Sequence, residues 1–234
     1  MLRVVDLVRT FGKHRAVDGL SFTVGTGEIV GLLGPNGAGK TTTLLCLCGL
    51  LRPTSGRIEL NGTEVPSERG KSIALVPETP EVYPMLTVWE HLLFVARSLR
   101  LDTGWEARAN TLLGRLGLMS VRDILGQELS KGMRQKTLLA ATILAHAPVL
   151  LLDEPMIGLD PLGQRELREL IRELRNDGTA IVISTHMLEA AESLCDRLII
   201  MKEGRAVASG HVAELRLQVI SGRTLEDVFI EITA

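Results

Sequence analysis

Gly34-Pro35-Asn36-Gly37-Ala38-Gly39-Lys40-Thr41 constrains this chain more than any other stretch. Four residues separate Gly34 from a Gly-Lys-Thr triplet, the spacing of a loop that wraps a chain of phosphates. Its glycines let the backbone approach closely, because no Cβ stands in the way. The loop amides and the start of the following helix present partial positive charge. The flanks supply the required context. Ile29-Val30-Gly31-Leu32-Leu33 is a short apolar run suited to a buried parallel strand, and residues 42–51 are mostly apolar, with Gly49 as the interruption. Strand, phosphate loop and helix follow one another as such a motif demands. Gly34, Pro35, Asn36, Gly37, Ala38, Gly39, Lys40, Thr41 and Thr42 form the expected nucleotide cradle. Lys40 is placed to reach the β and γ phosphates and the Thr41 hydroxyl to ligate Mg²⁺. The alternative is a glycine-rich turn before an ordinary helix.

A phosphate cradle that does chemistry needs a carboxylate. Asp153 and Glu154 close the apolar run Val149-Leu150-Leu151-Leu152. A buried parallel strand delivers them to the carboxyl edge of its sheet, where nucleotides bind. Two adjacent acids repel unless a cation or a proton intervenes. They can divide the work, Asp153 serving Mg²⁺ through water and Glu154 polarising the attacking water. By themselves they also read as an exposed strand exit. His186 ends Ile181-Val182-Ile183-Ser184-Thr185 in the same way. A histidine at a strand end is usually structural, but at this sheet edge an imidazole can stabilise charge on a departing γ-phosphate.

The rest of the chain organises around these runs. Strands are expected over 2–8, 20–24, 58–60 and 72–76, with Asn61-Gly62 as a hairpin signal. Over 79–147 helical signals replace strand signals. Thr87-Val88-Trp89-Glu90 is a capping-box sequence opening a helix to about Arg100. Further helices are expected over 105–116 and 130–146. Strands and helices then alternate: 149–152, helix 162–175, strand 179–184, helix 187–195, and a strand pair over 198–201 and 206–208. Alternation of this kind argues an α/β fold with a mainly parallel sheet.

A chain of 234 residues, 45% hydrophobic and 23% charged, has the balance of an ordinary globular domain. Its net charge of -2 weighs against binding nucleic acid through phosphate contacts, so no nucleic acid is expected. No apolar run approaches the roughly 18 residues needed to span a bilayer. The N-terminus lacks the apolar core of a signal peptide. The expectation is a cytoplasmic protein without direct membrane insertion. Cys46, Cys48 and Cys195 lack metal-ligand spacing and read as small buried hydrophobes.

Together these residues resemble the nucleotide-binding subunit of an ABC transporter, along essentially the whole chain. Leu129-Ser130-Lys131-Gly132-Met133 stands where the family has its Leu-Ser-Gly-Gly-Gln signature, and Gly158-Leu159-Asp160-Pro161 matches the D-loop. Phe11 falls where the family places a ring against adenine. Glu78, in Val76-Pro77-Glu78, stands where the family commonly has glutamine. The resemblance implies a P-loop NTPase (RecA-like) fold: a mainly parallel sheet, an antiparallel β patch and an inserted helical subdomain. It implies one domain over 1–234, with 1–78 and 148–210 as the core, 79–147 as the helical subdomain and 211–234 as a tail. It implies Mg²⁺-dependent ATP hydrolysis, with Lys40, Glu154 and His186 as the catalytic set. Phe11 and the loop would hold ATP, and Thr41, Asp153 and Glu78 the metal. Ser130, a natural N-cap, would with Gly132 and Asp160 meet the ATP of a second subunit in a head-to-tail homodimer or heterodimer. The implied partners are integral membrane permease subunits, on the cytoplasmic face of the membrane. Residues 79–87 are then either a loop over the core or part of the groove that receives a permease segment. The Lys131 to Gln135 stretch and the tail Leu225-Glu226-Asp227-Val228-Phe229 are similar to an exporter branch that includes antibiotic- and multidrug-resistance systems. The competing function is a soluble ABC-type ATPase acting on DNA or the ribosome. Such proteins usually carry two nucleotide domains or a long coiled coil, neither of which is seen here.

Overall fold

Alternating side chains of the apolar runs serve two different cores, one on each face of a central sheet. The computed structural model describes residues 1–65 and 72–217. The first half contains β1 (Leu2–Phe11), β2 (His14–Val24), β3 (Ile29–Leu33), α1 (Lys40–Cys48), β4 (Ser55–Leu60), β5 (Thr63–Glu64) and β6 (Ile73–Val76). Then come α2 (Val88–Leu99), α3 (Trp105–Arg115) and α4 (Lys131–Leu144). The chain returns through β7 (Val149–Asp153), α5 (Pro161–Asn176), β8 (Ala180–Thr185), α6 (Leu188–Leu194), β9 (Arg197–Lys202), β10 (Arg205–His211) and α7 (Val212–Leu217).

The central sheet has the order β10-β9-β3-β8-β7-β6, parallel throughout except at the β10 edge. Val30, Leu32, Val149, Leu151, Ala180 and Val182 point to one side, where α1 and the inner face of a second sheet cover them. Ile29, Leu33, Leu150, Leu152, Ile181 and Ile183 point to the other, against α4, α5 and α6. A sheet covered on both faces needs apolar residues at every position, which is why its strands read as unbroken runs. The second sheet, β2-β1-β4-β5, is antiparallel and is the β patch expected from the sequence.

The helical block forms as its sequence directs. Thr87 Oγ1 accepts from the Glu90 amide, Glu90 Oε2 accepts from the Thr87 amide, and α2 ends at Arg100 in the left-handed conformation. Ser130 caps α4 by accepting from the Met133 amide at 3.3 Å. Leu92, Leu113 and Leu139 are fully buried and belong to the same core as the sheet residues Leu150 and Ile181. Each such leucine contributes about 1.5–3 kcal/mol of burial free energy, so the block is fastened to the sheet by its own interior. Arg115 forms a two-pronged ion pair with Glu173 of α5 on the outside of that joint.

Two expectations change, and a third lies outside the described residues. The strands expected over 2–8 and 20–24 extend into one long hairpin that turns at Gly12-Lys13, with Phe11 opposite His14. Register shifts interrupt the pairing, and Asp6 at φ 48 turns the strand locally. These breaks spoil the period of two by which a strand is read. The helix expected to reach Leu51 stops at Cys48, because Gly49 adopts φ 86 and donates its amide back to Cys46. In the tail, α7 is present, while Thr224 to Phe229 lie outside the described residues.

Candidate nucleotide-binding site

The carboxyl ends of β3, β6 and β7 open onto a cavity of about 410 Å³. Phe11, His14, Ala16, Asn36 to Thr42, Glu78 and Glu154 line it. This volume and its convergent polar groups suit a nucleotide. The loop that forms its floor tolerates few other sequences. Gly37 and Gly39 have φ of 84° and 97°. A Cβ on Gly39 would collide with the carbonyl oxygen of Ala16, and one on Gly34 with that of Met201. The glycines therefore serve both backbone conformation and close packing.

Lys40 starts α1 and is 5% exposed. Its ammonium donates to the carbonyls of Gly34 at 2.7 Å and Pro35 at 3.1 Å. Burial lowers its pKa, and the fields of Glu154, Asp153 and Glu78 pull it back up. An incompletely solvated cation of this kind favours a phosphate strongly. The nearest fixed anion is Glu154, with Oε1 3.9 Å from Nζ.

Glu154 is buried, and its φ of 47° lies in the left-handed region. A bulky residue rarely adopts that conformation, and strain of this kind is concentrated at functional sites. Its Oε1 also lies 2.9 Å from Nδ1 of His186. A carboxylate can only accept, so the Nδ1 proton fills that bond and Nε2 is left for another partner. Asp153 stands behind, 3% exposed, and accepts a hydrogen bond from Ser184 Oγ. The Glu154 amide donates to both the Ser184 carbonyl and Ser184 Oγ, at 3.1 and 3.2 Å. Ser184 thereby holds the Asp153 carboxylate and the Glu154 backbone.

Sequence reasoning assigned Ser184 no role. A polar residue closing an apolar strand is a faint signal. It becomes meaningful only through the register that sets Ser184 opposite Asp153. Among the other expected site residues, Phe11, Glu78, Thr41 and Thr42 come to the cavity. Gly34, Pro35, Asp153 and His186 are not in its wall; His186 touches the lining residue Glu154, and Asp153 is joined to the Glu154 backbone through Ser184. Ser130, Gly132 and Asp160 do not line it. They form a second group, in which a Cβ on Gly132 would meet the Gly158 carbonyl at 3.1 Å and Asp160 Oδ1 lies 3.5 Å from Lys136 Nζ.

The family model described as ABC transporter matches residues 17–157, from β2 through the two acids. The chain belongs to the ABC transporter family. Over its whole length it is 37% identical to the ABC-type transporter ATP-binding protein EcsA of Bacillus subtilis, covering 96% of that protein. It is 43% identical over 209 residues to Nod factor export ATP-binding protein I of Burkholderia lata, covering 88% of this chain and 69% of that one. A solved structure of an ATP binding subunit of an ABC transporter superposes with a TM-score of 0.93 at 35% identity, covering all of both chains. This ABC protein is thus an ATP-binding transporter subunit and an ATPase. Its family's ATP-binding subunits dimerise and work with membrane permease components. Among the described residues of this ABC subunit, no helix is long and apolar enough to cross a membrane.

Oxygen donors of the protein fit Mg²⁺ only in part. Thr41 and Glu78 line the cavity, and Asp153 stands behind it. Among the described residues no cluster of three or more His, Cys, Asp or Glu could hold a metal alone. Mg²⁺ commonly keeps few protein ligands and completes its shell with phosphate oxygens and water. The donor set suits a metal that arrives with the nucleotide.

Proposed function

We propose that the chain drives export, hydrolysing MgATP on the cytoplasmic face of a membrane through separate integral permease subunits. The observation that carries the hydrolytic part is the position of the Glu154 carboxylate, shared between the phosphate-loop lysine and His186. Lys40 and the loop amides hold the β and γ phosphates. Glu154 orients and polarises the attacking water, and His186 offers Nε2 to charge developing on the γ-phosphate. Thr41, Glu78 and Asp153 would hold Mg²⁺, which would neutralise phosphate charge. Phe11 stacks on adenine. Ser130, Gly132 and Asp160 serve the ATP of a second subunit, identical or related. Their place outside the chain's own cavity is what that arrangement requires.

Two observations support the membrane partner and the direction. Tyr83, Met85 and Phe94 are 56%, 71% and 49% exposed, and the Tyr83 and Phe94 rings meet edge to face at 5.4 Å. A contiguous apolar patch of this kind marks an interaction surface. The relative from Burkholderia lata is a Nod factor export protein by name.

The test is capture of partners by tagged Glu154→Gln protein with ATP, from solubilised membranes and from ribosomes in parallel. Stoichiometric recovery of a polytopic membrane protein is the expected result. Recovery with ribosomes alone would overturn the proposal.

A further inference from the structure

Phe11 and Arg9 lie two apart on β1, so their side chains share a face of the strand. The Arg9 guanidinium lies over the Phe11 ring, with Cζ 4.4 Å from its centroid. One amino group donates to the Arg52 carbonyl at 2.9 Å, which anchors the guanidinium from the loop after α1. Among the described residues Nε is buried without a hydrogen-bond partner, so stacking on the ring accounts for its burial better than polar satisfaction does. Phe11 lines the nucleotide cavity and Arg9 does not. The cation therefore meets the ring from outside the cavity wall.

We propose that Arg9 is a positioning residue for the nucleotide base: it pins Phe11 from behind and leaves the other ring face free to stack on adenine. The proposal rests on the reading of Phe11 as the adenine-stacking ring. Two effects follow from the geometry. A ring held in one orientation loses less side-chain freedom when the base binds. A cation on the far face draws π density away from the near face, which favours an offset stack with an electron-rich purine. Both act on the base and neither acts on the phosphates.

The experiment measures binding of ATP and of ribose 5′-triphosphate, which lacks the base, by titration calorimetry without divalent cations. The proteins are wild type, Arg9→Met, Arg9→Lys, Phe11→Ala and the double variant Arg9→Met/Phe11→Ala. Arg9→Met is expected to weaken ATP roughly two- to fivefold, the span of an exposed cation–π contact, with ribose 5′-triphosphate unchanged. In the Phe11→Ala background the same change is expected to have no further effect. Arg9→Lys keeps the charge and can reach Arg52 but loses the planar stack, and is expected to fall between. It decides by the same ratio if Arg9→Met folds poorly. Equal loss of both ligands in both Arg9 variants would reduce Arg9 to a structural tie. Unchanged ATP affinity in both Arg9 variants, with a clear loss in Phe11→Ala, would overturn the role of Arg9 and leave that of Phe11 standing. Unchanged ATP affinity in Phe11→Ala would remove the Phe11 reading and this proposal with it.

Discussion

Glu154 Oε1 and His186 Nδ1 lie 2.9 Å apart, joining the residue after β7, which lines the cavity, to the residue after β8. This contact links a strained acid to an imidazole that is 44% exposed in its side chain. It also leaves Glu154 within 3.9 Å of the phosphate-loop lysine.

Replacing the acid by its amide preserves shape and removes the base. Glu154→Gln is expected to bind ATP and accumulate as an ATP-bound dimer, with turnover lowered about 10²–10⁴-fold, the usual worth of general-base catalysis. Steady-state hydrolysis and size-exclusion chromatography with ATP check this. Turnover at the wild-type rate would withdraw Glu154 from the base role.

Ser184 gives a prediction that does not touch the cavity wall. Ser184→Ala removes the hydroxyl that donates to the buried Asp153 carboxylate. An orphaned buried acceptor costs about 1–3 kcal/mol. Urea unfolding should show a loss of that size, and half-maximal hydrolysis should need more Mg²⁺. An unaltered Mg²⁺ requirement would separate Asp153 from the metal.

The phosphate loop offers a graded pair. Gly37→Ala places a Cβ in open space at φ 84°, costing about 1–2 kcal/mol for the left-handed backbone alone. Gly39→Ala carries the same strain and drives its Cβ into the Ala16 carbonyl. It is expected to cost about 3 kcal/mol or more, with loss of nucleotide binding. Thermal unfolding with and without ATP compares the two, and equal costs would show that the loop yields to the clash.

Cys195 is buried beside Asp196, and burial pushes its thiol up to about 12 from an ordinary 9.0. Its folded pKa is raised, so its stabilising contribution is complete below pH 9 and lost as pH rises towards 12. Native protein at pH 8.5 should resist alkylation at Cys195. Stability should fall less steeply above pH 9 in Cys195→Ser than in wild type. Rapid alkylation of the folded protein would contradict the burial.

Much of this was legible in the chain because its signals are local. The glycine spacing of residues 34–41, the acids after Leu152 and the Thr87-Glu90 cap each lie within a few residues. The backbone and its nearest side chains carry their meaning. The same locality misled at β1 and β2, where bulges break the alternation that a strand is read by, and at Gly49, whose left-handed turn ended α1 early. Asp160 directly precedes α5, yet its carboxylate makes no cap and turns to Lys136 on α4, a contact that nothing local in the sequence signals.

The sequence by itself determined most of the elements, the glycine spacing of the loop and the identities of the chemical groups, since those depend on spacing along one chain. Only the tertiary structure decided which groups meet. The register of β7 with β8 put Ser184 beside Asp153, and the left-handed turn at Glu154 leaves its carboxylate between Lys40 and His186. Those contacts join residues about 30 to 114 positions apart, and strand pairing and packing of the two sheet faces bring them together.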